Sequence, residues 1–115
     1  MIGPGAGVRV YLACGVTDMR KGIGGLAALA QQVLNQNAAS GAVFAFRGRR
    51  GDRIKLLMWD GQGFCLYYKV LEPGHFPWPS PADGVARLTA AQLAMLWEGI
   101  DWRRPAWTAP PSRVA

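Results

Sequence analysis

Two apolar segments, residues 54–59 and 64–71, lie on either side of a short polar turn, and this arrangement constrains the fold more than any other feature of the sequence. The turn is Asp60-Gly61-Gln62-Gly63, in which glycines permit the positive φ angles that tight hairpin turns require. Within both segments the side chains alternate between two faces, as in a β-strand. The sequence therefore predicts a central β-hairpin whose two faces are both partly apolar.

Two further strands and a long helix are predicted before the hairpin. Residues 8–13 and 43–46 are short segments rich in β-branched or aromatic residues, which favour strands. Between them, apolar residues recur at three- and four-residue steps, so an amphipathic helix is predicted from an N-cap at Thr17 or Asp18 to about Gln36. Three glycines in its early turns each cost about 1 kcal/mol relative to alanine, so this helix should be weak at its start.

The last third of the chain combines a proline-rich loop with a short helix. Residues 73–81 (PGHFPWPSP) cannot form a central strand, because proline lacks the N–H that a sheet requires. The segment Thr89-Ala90-Ala91-Gln92 has the capping-box pattern, and the apolar stripe after it predicts a short helix that ends near Gly99. The predicted fold is α+β: a small antiparallel β-sheet with a central β-hairpin, packed by one longer and one short α-helix.

Length and composition fit one domain. The chain has 115 residues, half of them hydrophobic, which is enough for a single core. We predict a flexible N-terminus over residues 1–7, one domain over residues 8–102 and a proline-rich tail over residues 103–115. No apolar run approaches the roughly 20 residues of a membrane-spanning helix, and Cys14 and Cys65 make no disulfide framework. We therefore expect a cytoplasmic protein with no membrane partner.

Basic residues concentrate in the loop before the first strand of the hairpin. The formal net charge is +6, which favours an acidic partner such as nucleic acid. Residues 47–55 hold five cations and one acid, and the planar arginine side chain suits phosphate oxygens. The plainer interpretation is a solvated loop that keeps the protein soluble. The five cations are Arg47, Arg49, Arg50, Arg53 and Lys55.

Two smaller cationic groups lie elsewhere. Arg20 and Lys21 are at the predicted start of the first helix, where free N–H groups and the helix dipole attract anions. Asp18 beside them could equally serve only as a helix cap. Arg103 and Arg104 lie between tryptophans in the tail, where aromatic rings next to arginines either stack on bases or pin the tail to the domain.

The sequence offers little support for an enzyme. His75 is the only histidine and lies in the proline-rich loop, so neither a histidine pair for a metal nor a Ser–His–acid order is indicated. The acids are scattered, and a carboxylate triad for metal-dependent phosphoryl transfer, as in a nuclease, is the weaker alternative. We therefore predict no enzymatic activity, no catalytic residues, no metal and no cofactor.

Four sets of residues together resemble a known family. They are the order of residues over 10–22, the block 52–64, the glycine and aromatic spacing over 74–78, and the pattern over 96–101. The chain resembles the TnpB-type accessory protein, encoded by the second open reading frame, of bacterial insertion sequences of the group numbered sixty-six. The resemblance covers about residues 8–102. This family is distinct from the RNA-guided nuclease that shares the TnpB label.

The resemblance implies a small protein encoded beside a separate, larger transposase that carries the acidic catalytic triad. It implies no known chemical activity and supplies no catalytic residues. The chain departs from the family pattern at Gly24-Gly25, where a polar or acidic residue is common. The positions that recur in the family are Asp18, Met19, Arg20, Lys55, Trp59, Asp60, Gly63, Phe64, Lys69 and Trp78.

The predicted function is that of a non-enzymatic accessory protein that binds DNA, at the element ends, through the basic loop and assists the transposase. The alternative is a protein-interaction module in which Trp59, Tyr67 and Trp78 form an exposed aromatic patch. That patch would dock the transposase or a second copy of the chain, as a homodimer, without direct DNA contact. The nucleic-acid contacts expected outside the loop are Arg20, Lys21 and Lys69.

Overall fold

A computed structural model describes residues 7–102, and residues 1–6 and the predicted tail, 103–115, lie outside the described residues. The described part forms a five-stranded sheet with two α-helices and one turn of 3-10 helix. The elements are β1 (Val10–Val16), α1 (Ile23–Gln32), β2 (Val43–Arg47), β3 (Arg53–Trp59), β4 (Phe64–Val70), the 3-10 turn (Pro81–Asp83), β5 (Val85–Leu88) and α2 (Ala90–Trp97).

The sheet is mixed but mostly antiparallel, in the order β4-β3-β2-β1-β5. β3 and β4 pair antiparallel from Arg53 opposite Val70 to Trp59 opposite Phe64, which confirms the predicted hairpin. β1 and β2 are parallel, because α1 lies between them in the chain and returns it to the same end of the sheet. The predicted α+β class is confirmed, and the sheet departs from a wholly antiparallel one in this pair. β5, which was not predicted, pairs with β1.

The two helices cover opposite faces of the sheet. α1 buries Leu26 and Ala30 against one face, and α2 buries Leu93 and Leu96 against the other. Fully burying a leucine side chain stabilises the fold by about 1.5–3 kcal/mol, so both faces contribute. Because successive residues of a strand point to opposite faces, each strand supplies side chains to both cores.

α1 is shorter than predicted. It begins at Ile23, with a glycine as its N-cap that makes no side-chain hydrogen bond, and ends at Gln32. Residues 17–22 are not helical, and the N–H of Thr17 donates instead to the carbonyl of Arg47 at 2.8 Å, at the end of β2. The early glycines weaken the helix, so contacts with the sheet decide the path of residues 17–22.

The second half of the chain follows the prediction more closely. The capping box is present, since Gln92 N donates to Thr89 Oγ1 at 3.0 Å and Thr89 N donates to Gln92 Oε1 at 2.9 Å. Gly99, just beyond α2, has φ +77°, as expected of a glycine that ends a helix.

Across residues 7–102, neither helix combines the length and apolar character needed to cross a membrane.

Candidate nucleic-acid interface

An open cleft of about 730 Å³ lies at the end of the sheet where β1 finishes and β3 begins. One wall is the turn segment after β1, and the other is the loop between β2 and β3. Four arginines line this arginine cleft, together with a single acid, Asp18. It brings Arg20 together with arginines of the loop, which lie far from it in the chain. The four are Arg20, Arg49, Arg50 and Arg53.

The loop between β2 and β3 is held in shape by main-chain hydrogen bonds. Gly48 N donates to Arg53 O at 2.9 Å, and Gly51 N donates to Gly48 O at 3.1 Å. The proline-rich loop also holds it in place, because Gly51 O accepts hydrogen bonds from Trp78 Nε1 at 2.8 Å and from Phe76 N at 2.9 Å. The loop therefore has a defined shape before any ligand arrives, which lowers the entropy cost of binding.

Two glycines in this loop are required by geometry. Gly51 has φ +79°, a conformation that other residues rarely adopt. A Cβ on Gly48 would lie 2.9 Å from Cγ of Met19, which belongs to the opposite wall. The loop therefore approaches the opposite wall closely at Gly48, where no side chain fits.

The arginines at the tip of the loop are free. Arg49 and Arg50 are exposed, and within residues 7–102 their side chains make no hydrogen bond or ion pair. Arg53 is more constrained: its Nη1 donates to Tyr68 Oη at 3.0 Å, and its Nε lies 3.7 Å from Asp52 Oδ1. The Tyr68 hydrogen bond is the main cause of the raised pKa of Arg53. Of its four arginines, the cleft thus takes two unpaired guanidinium groups and one fixed one from this loop.

The single acid of the cleft is already paired. Asp18 accepts from Arg20 through both oxygens, at 3.0 Å from Nε and 2.8 Å from Nη2. This hydrogen bonding holds the pKa of Asp18 far below its usual range and raises the pKa of Arg20. Both groups are exposed, so a phosphate is able to compete with Asp18 for Arg20.

Lys55 does not extend the exposed basic group as predicted. It is 7% exposed, and its Nζ donates to the carbonyls of Met19 at 2.7 Å and Lys21 at 2.9 Å. Its ammonium also lies 4.7 Å from the ring centroid of Tyr68. Lys55 therefore fixes the wall formed by residues 17–22 and is not free to meet a phosphate.

Three other predicted cations do not line the cleft. The guanidinium of Arg47 stacks over Trp78 at 5.5 Å, and Nζ of Lys69 donates to Trp97 O at 2.6 Å, at the end of α2. Lys21 is exposed and lines an adjoining cavity of about 320 Å³, which shares Val16, Thr17 and Asp18 with the cleft. The predicted third group lies in residues 103–115, outside the described residues.

The three aromatic residues of the predicted interaction patch do not share one surface. Trp59 lies on the α1 face of the sheet, against Phe64, whereas Tyr67 and Trp78 pack on the α2 face. The side chains of a strand alternate between faces, and the sheet therefore separates them. Tyr68, at the rim of the cleft, was not predicted, although its place opposite Lys55 follows from the register of the hairpin.

The acids of the described part are dispersed. Asp60 accepts from the N–H groups of Gln62 and Gly63 in the hairpin turn, and these bonds lower its pKa. Across residues 7–102, no group of three or more His, Cys, Asp or Glu side chains is placed to hold a metal ion.

Comparison with known proteins gives a family and two relatives. Residues 8–107 match the family described as IS66 Orf2 like protein. An uncharacterized protein of Sinorhizobium fredii, y4hO, is 46% identical over 99% of each chain. A second from the same organism, y4jC, is 38% identical over 90% of this chain and 89% of its own length. No solved structure matches.

The family match confirms the resemblance carried by residues 10–22 and 52–64. It spans the described fold, including both walls of the arginine cleft. Proteins of this family are not known as enzymes. The chain belongs to the IS66 Orf2-like family, and this membership supports an accessory role in transposition.

Proposed function

We propose that this protein binds DNA of its insertion sequence in the arginine cleft and assists a separate transposase without catalysing a reaction itself. The observation that carries the proposal is the meeting of Arg20 with Arg49, Arg50 and Arg53 around one cleft. Arginine forks suit phosphate oxygens, and a concave basic surface attracts a polyanion more strongly than scattered charges do.

Two features of the cleft favour binding over a purely solvating role. Arg49 and Arg50 have no protein partner within residues 7–102, so no internal contact must break before they meet phosphates. The loop that carries them is anchored through Gly51 to Trp78 and Phe76. A solubilising loop has no need of such support, whereas a binding loop gains affinity from it.

The proposed test is a binding titration of element-end and scrambled DNA at two salt concentrations, with and without the transposase. The variant is Arg49→Glu/Arg50→Glu, and the control is Arg9→Glu/Arg87→Glu, which has the same net charge. Arg9 lies at the opposite end of β1 from the cleft, and Arg87 lies on β5, stacked over Tyr11.

We expect the unaltered protein to bind with an affinity that falls steeply as salt rises, with a log–log slope of about −3.6 on duplex if all four cleft arginines meet phosphates. The cleft variant should lose binding, and the control should keep most of it. Transposase should strengthen binding to element ends more than to scrambled DNA. Equal losses in both variants would mean that net charge alone is responsible, and the cleft would be rejected as the site.

A further inference from the structure

The hairpin carries an exposed aromatic ring at the rim of the arginine cleft. Tyr68 lies on β4, the edge strand of the sheet, and is 47% exposed. Its hydroxyl accepts a hydrogen bond from Nη1 of Arg53 at 3.0 Å, and Arg53 lines the cleft. The ring and the cleft therefore form one continuous surface.

The ring of Tyr68 is held in a fixed orientation. Lys55 lies opposite it in the register, with its ammonium nitrogen 4.7 Å from the ring centroid. That ammonium is fixed in turn by the carbonyls of Met19 and Lys21. A ring braced in this way loses little conformational freedom when a second planar group stacks on it.

More apolar and aromatic surface continues along the same face of the hairpin. The register places Leu66 and Phe64 on the Tyr68 face of β4, with Trp59 opposite Phe64. The rings of Trp59 and Phe64 meet edge to face, 5.1 Å between centroids, and both are partly exposed. Phe64 and Leu66 pack partly against the core on the α1 side, and Leu66 is the next residue after Tyr68 on this face of β4.

The combination of a basic cleft and an exposed aromatic ring suits an unpaired DNA strand better than a duplex. A duplex presents phosphates, but its bases are stacked on one another, so their faces are not available to a protein side chain. An unpaired strand presents both phosphates and bare base faces, and proteins that hold such strands combine a basic groove with stacking aromatic rings. We propose that the arginine cleft and Tyr68 form one site for unpaired DNA, with phosphates at the arginines and a base stacked on the tyrosine ring.

The inference rests on the proposed function and names the form of DNA that the cleft takes. Its test compares a single strand with a duplex of the same length and sequence, by fluorescence anisotropy. Tyr68→Leu keeps apolar cover over Lys55 but removes the ring, and Tyr68→Phe keeps the ring. Val70→Ala, at an exposed residue on the same face of β4, is the control.

We expect the unaltered protein to hold the single strand about tenfold more tightly than the duplex, because one base stacks on the Tyr68 ring only when it is unpaired. Tyr68→Leu should weaken single-strand binding by about five- to a hundredfold, the contribution of one base stacked on an aromatic ring, and duplex binding by less than about twofold. Tyr68→Phe should stay within about threefold of the unaltered protein, because the stacking surface remains. Val70→Ala should bind as the unaltered protein does.

A second readout needs no variant. Ultraviolet cross-linking of the unaltered protein to a single strand carrying 5-iododeoxyuridine should attach the base to Tyr68, located by mass spectrometry. Equal affinity for both DNA forms with no effect of Tyr68→Leu, or cross-links that avoid Tyr68, would overturn this inference and leave duplex binding in the cleft intact. Failure to bind either form would overturn the proposed function as well.

Discussion

The arginines at the tip of the loop and the lysines on the hairpin strands carry the same charge but lie in opposite surroundings. Arg49 and Arg50 are exposed and, within residues 7–102, have no partner. Lys55 and Lys69 direct their ammonium groups to main-chain carbonyls. The two strand lysines lie within reach of carbonyls on neighbouring elements, whereas the two arginines at the loop tip do not. Position in the fold, more than charge, therefore decides which cation is available to DNA.

The largest change in stability is expected when Lys55, the buried lysine of the hairpin, is replaced. Lys55→Met should lower the free energy of unfolding by about 2–4 kcal/mol, because the carbonyls of Met19 and Lys21 lose their shared donor. Urea denaturation measures the effect. Lys21→Met, at an exposed lysine, should change stability by less than about 0.5 kcal/mol. Equal stability of the two variants would show that Lys55 does not fix the cleft wall.

Replacing Lys69 should also lower the stability, but by less than replacing Lys55. Lys69→Met removes the donor to Trp97 O and a positive charge at the end of α2, which should cost about 1–2 kcal/mol of stability. DNA affinity should stay within about twofold, because Lys69 lies away from the cleft. A large loss of DNA affinity in a folded Lys69→Met protein would show that Lys69 contributes to DNA binding after all.

Trp78 tests whether the anchoring of the loop matters for binding. Trp78→Phe keeps an aromatic ring but removes the hydrogen bond from Nε1 to Gly51 O, which should cost about 1 kcal/mol of stability. DNA affinity should fall by about two- to fivefold, since a looser loop must be ordered on binding. Paired urea and anisotropy titrations check both numbers. A loss of stability with unchanged DNA affinity would show that the hydrogen bond from Trp78 to Gly51 stabilises the fold but does not contribute to DNA binding.

The smallest expected effect lies at Asp18. Asp18→Asn removes the negative charge that competes with phosphate for Arg20, while its amide oxygen is still able to accept from the N–H of Arg20. Affinity for DNA should rise by about two- to fivefold at low salt, the scale of an exposed ion pair. A titration at low and high salt checks this. Weaker binding would mean that Asp18 positions Arg20 for DNA and does not compete with it.

Local signals in the sequence predicted much of the fold. The hairpin follows from alternation around Asp60–Gly63, and the α2 start follows from the capping box at Thr89. Both depend on residues close together in the chain. The parallel pairing of β1 with β2 and the short α1 depend instead on contacts between distant segments, which a single sequence does not reveal.

The candidate site was predicted only in part for the same reason. The arginine-rich loop was evident from composition, but its meeting with Arg20 depends on the path of residues 17–22. That path is fixed by Lys55, which is 36 residues from Met19 in the sequence. A lysine whose ammonium binds carbonyls and one that faces solvent look alike in sequence, and only the fold separates them.

The most direct test of the arginine cleft is the salt dependence of duplex affinity in Arg49→Gln/Arg50→Gln. Each phosphate contact contributes about 0.9 to the slope of log affinity against log salt, so this variant should have a slope about 1.8 shallower than the unaltered protein. Arg9→Gln/Arg87→Gln should keep the original slope. Identical slopes for the cleft variant and the unaltered protein would contradict the claim that these two arginines hold DNA phosphates.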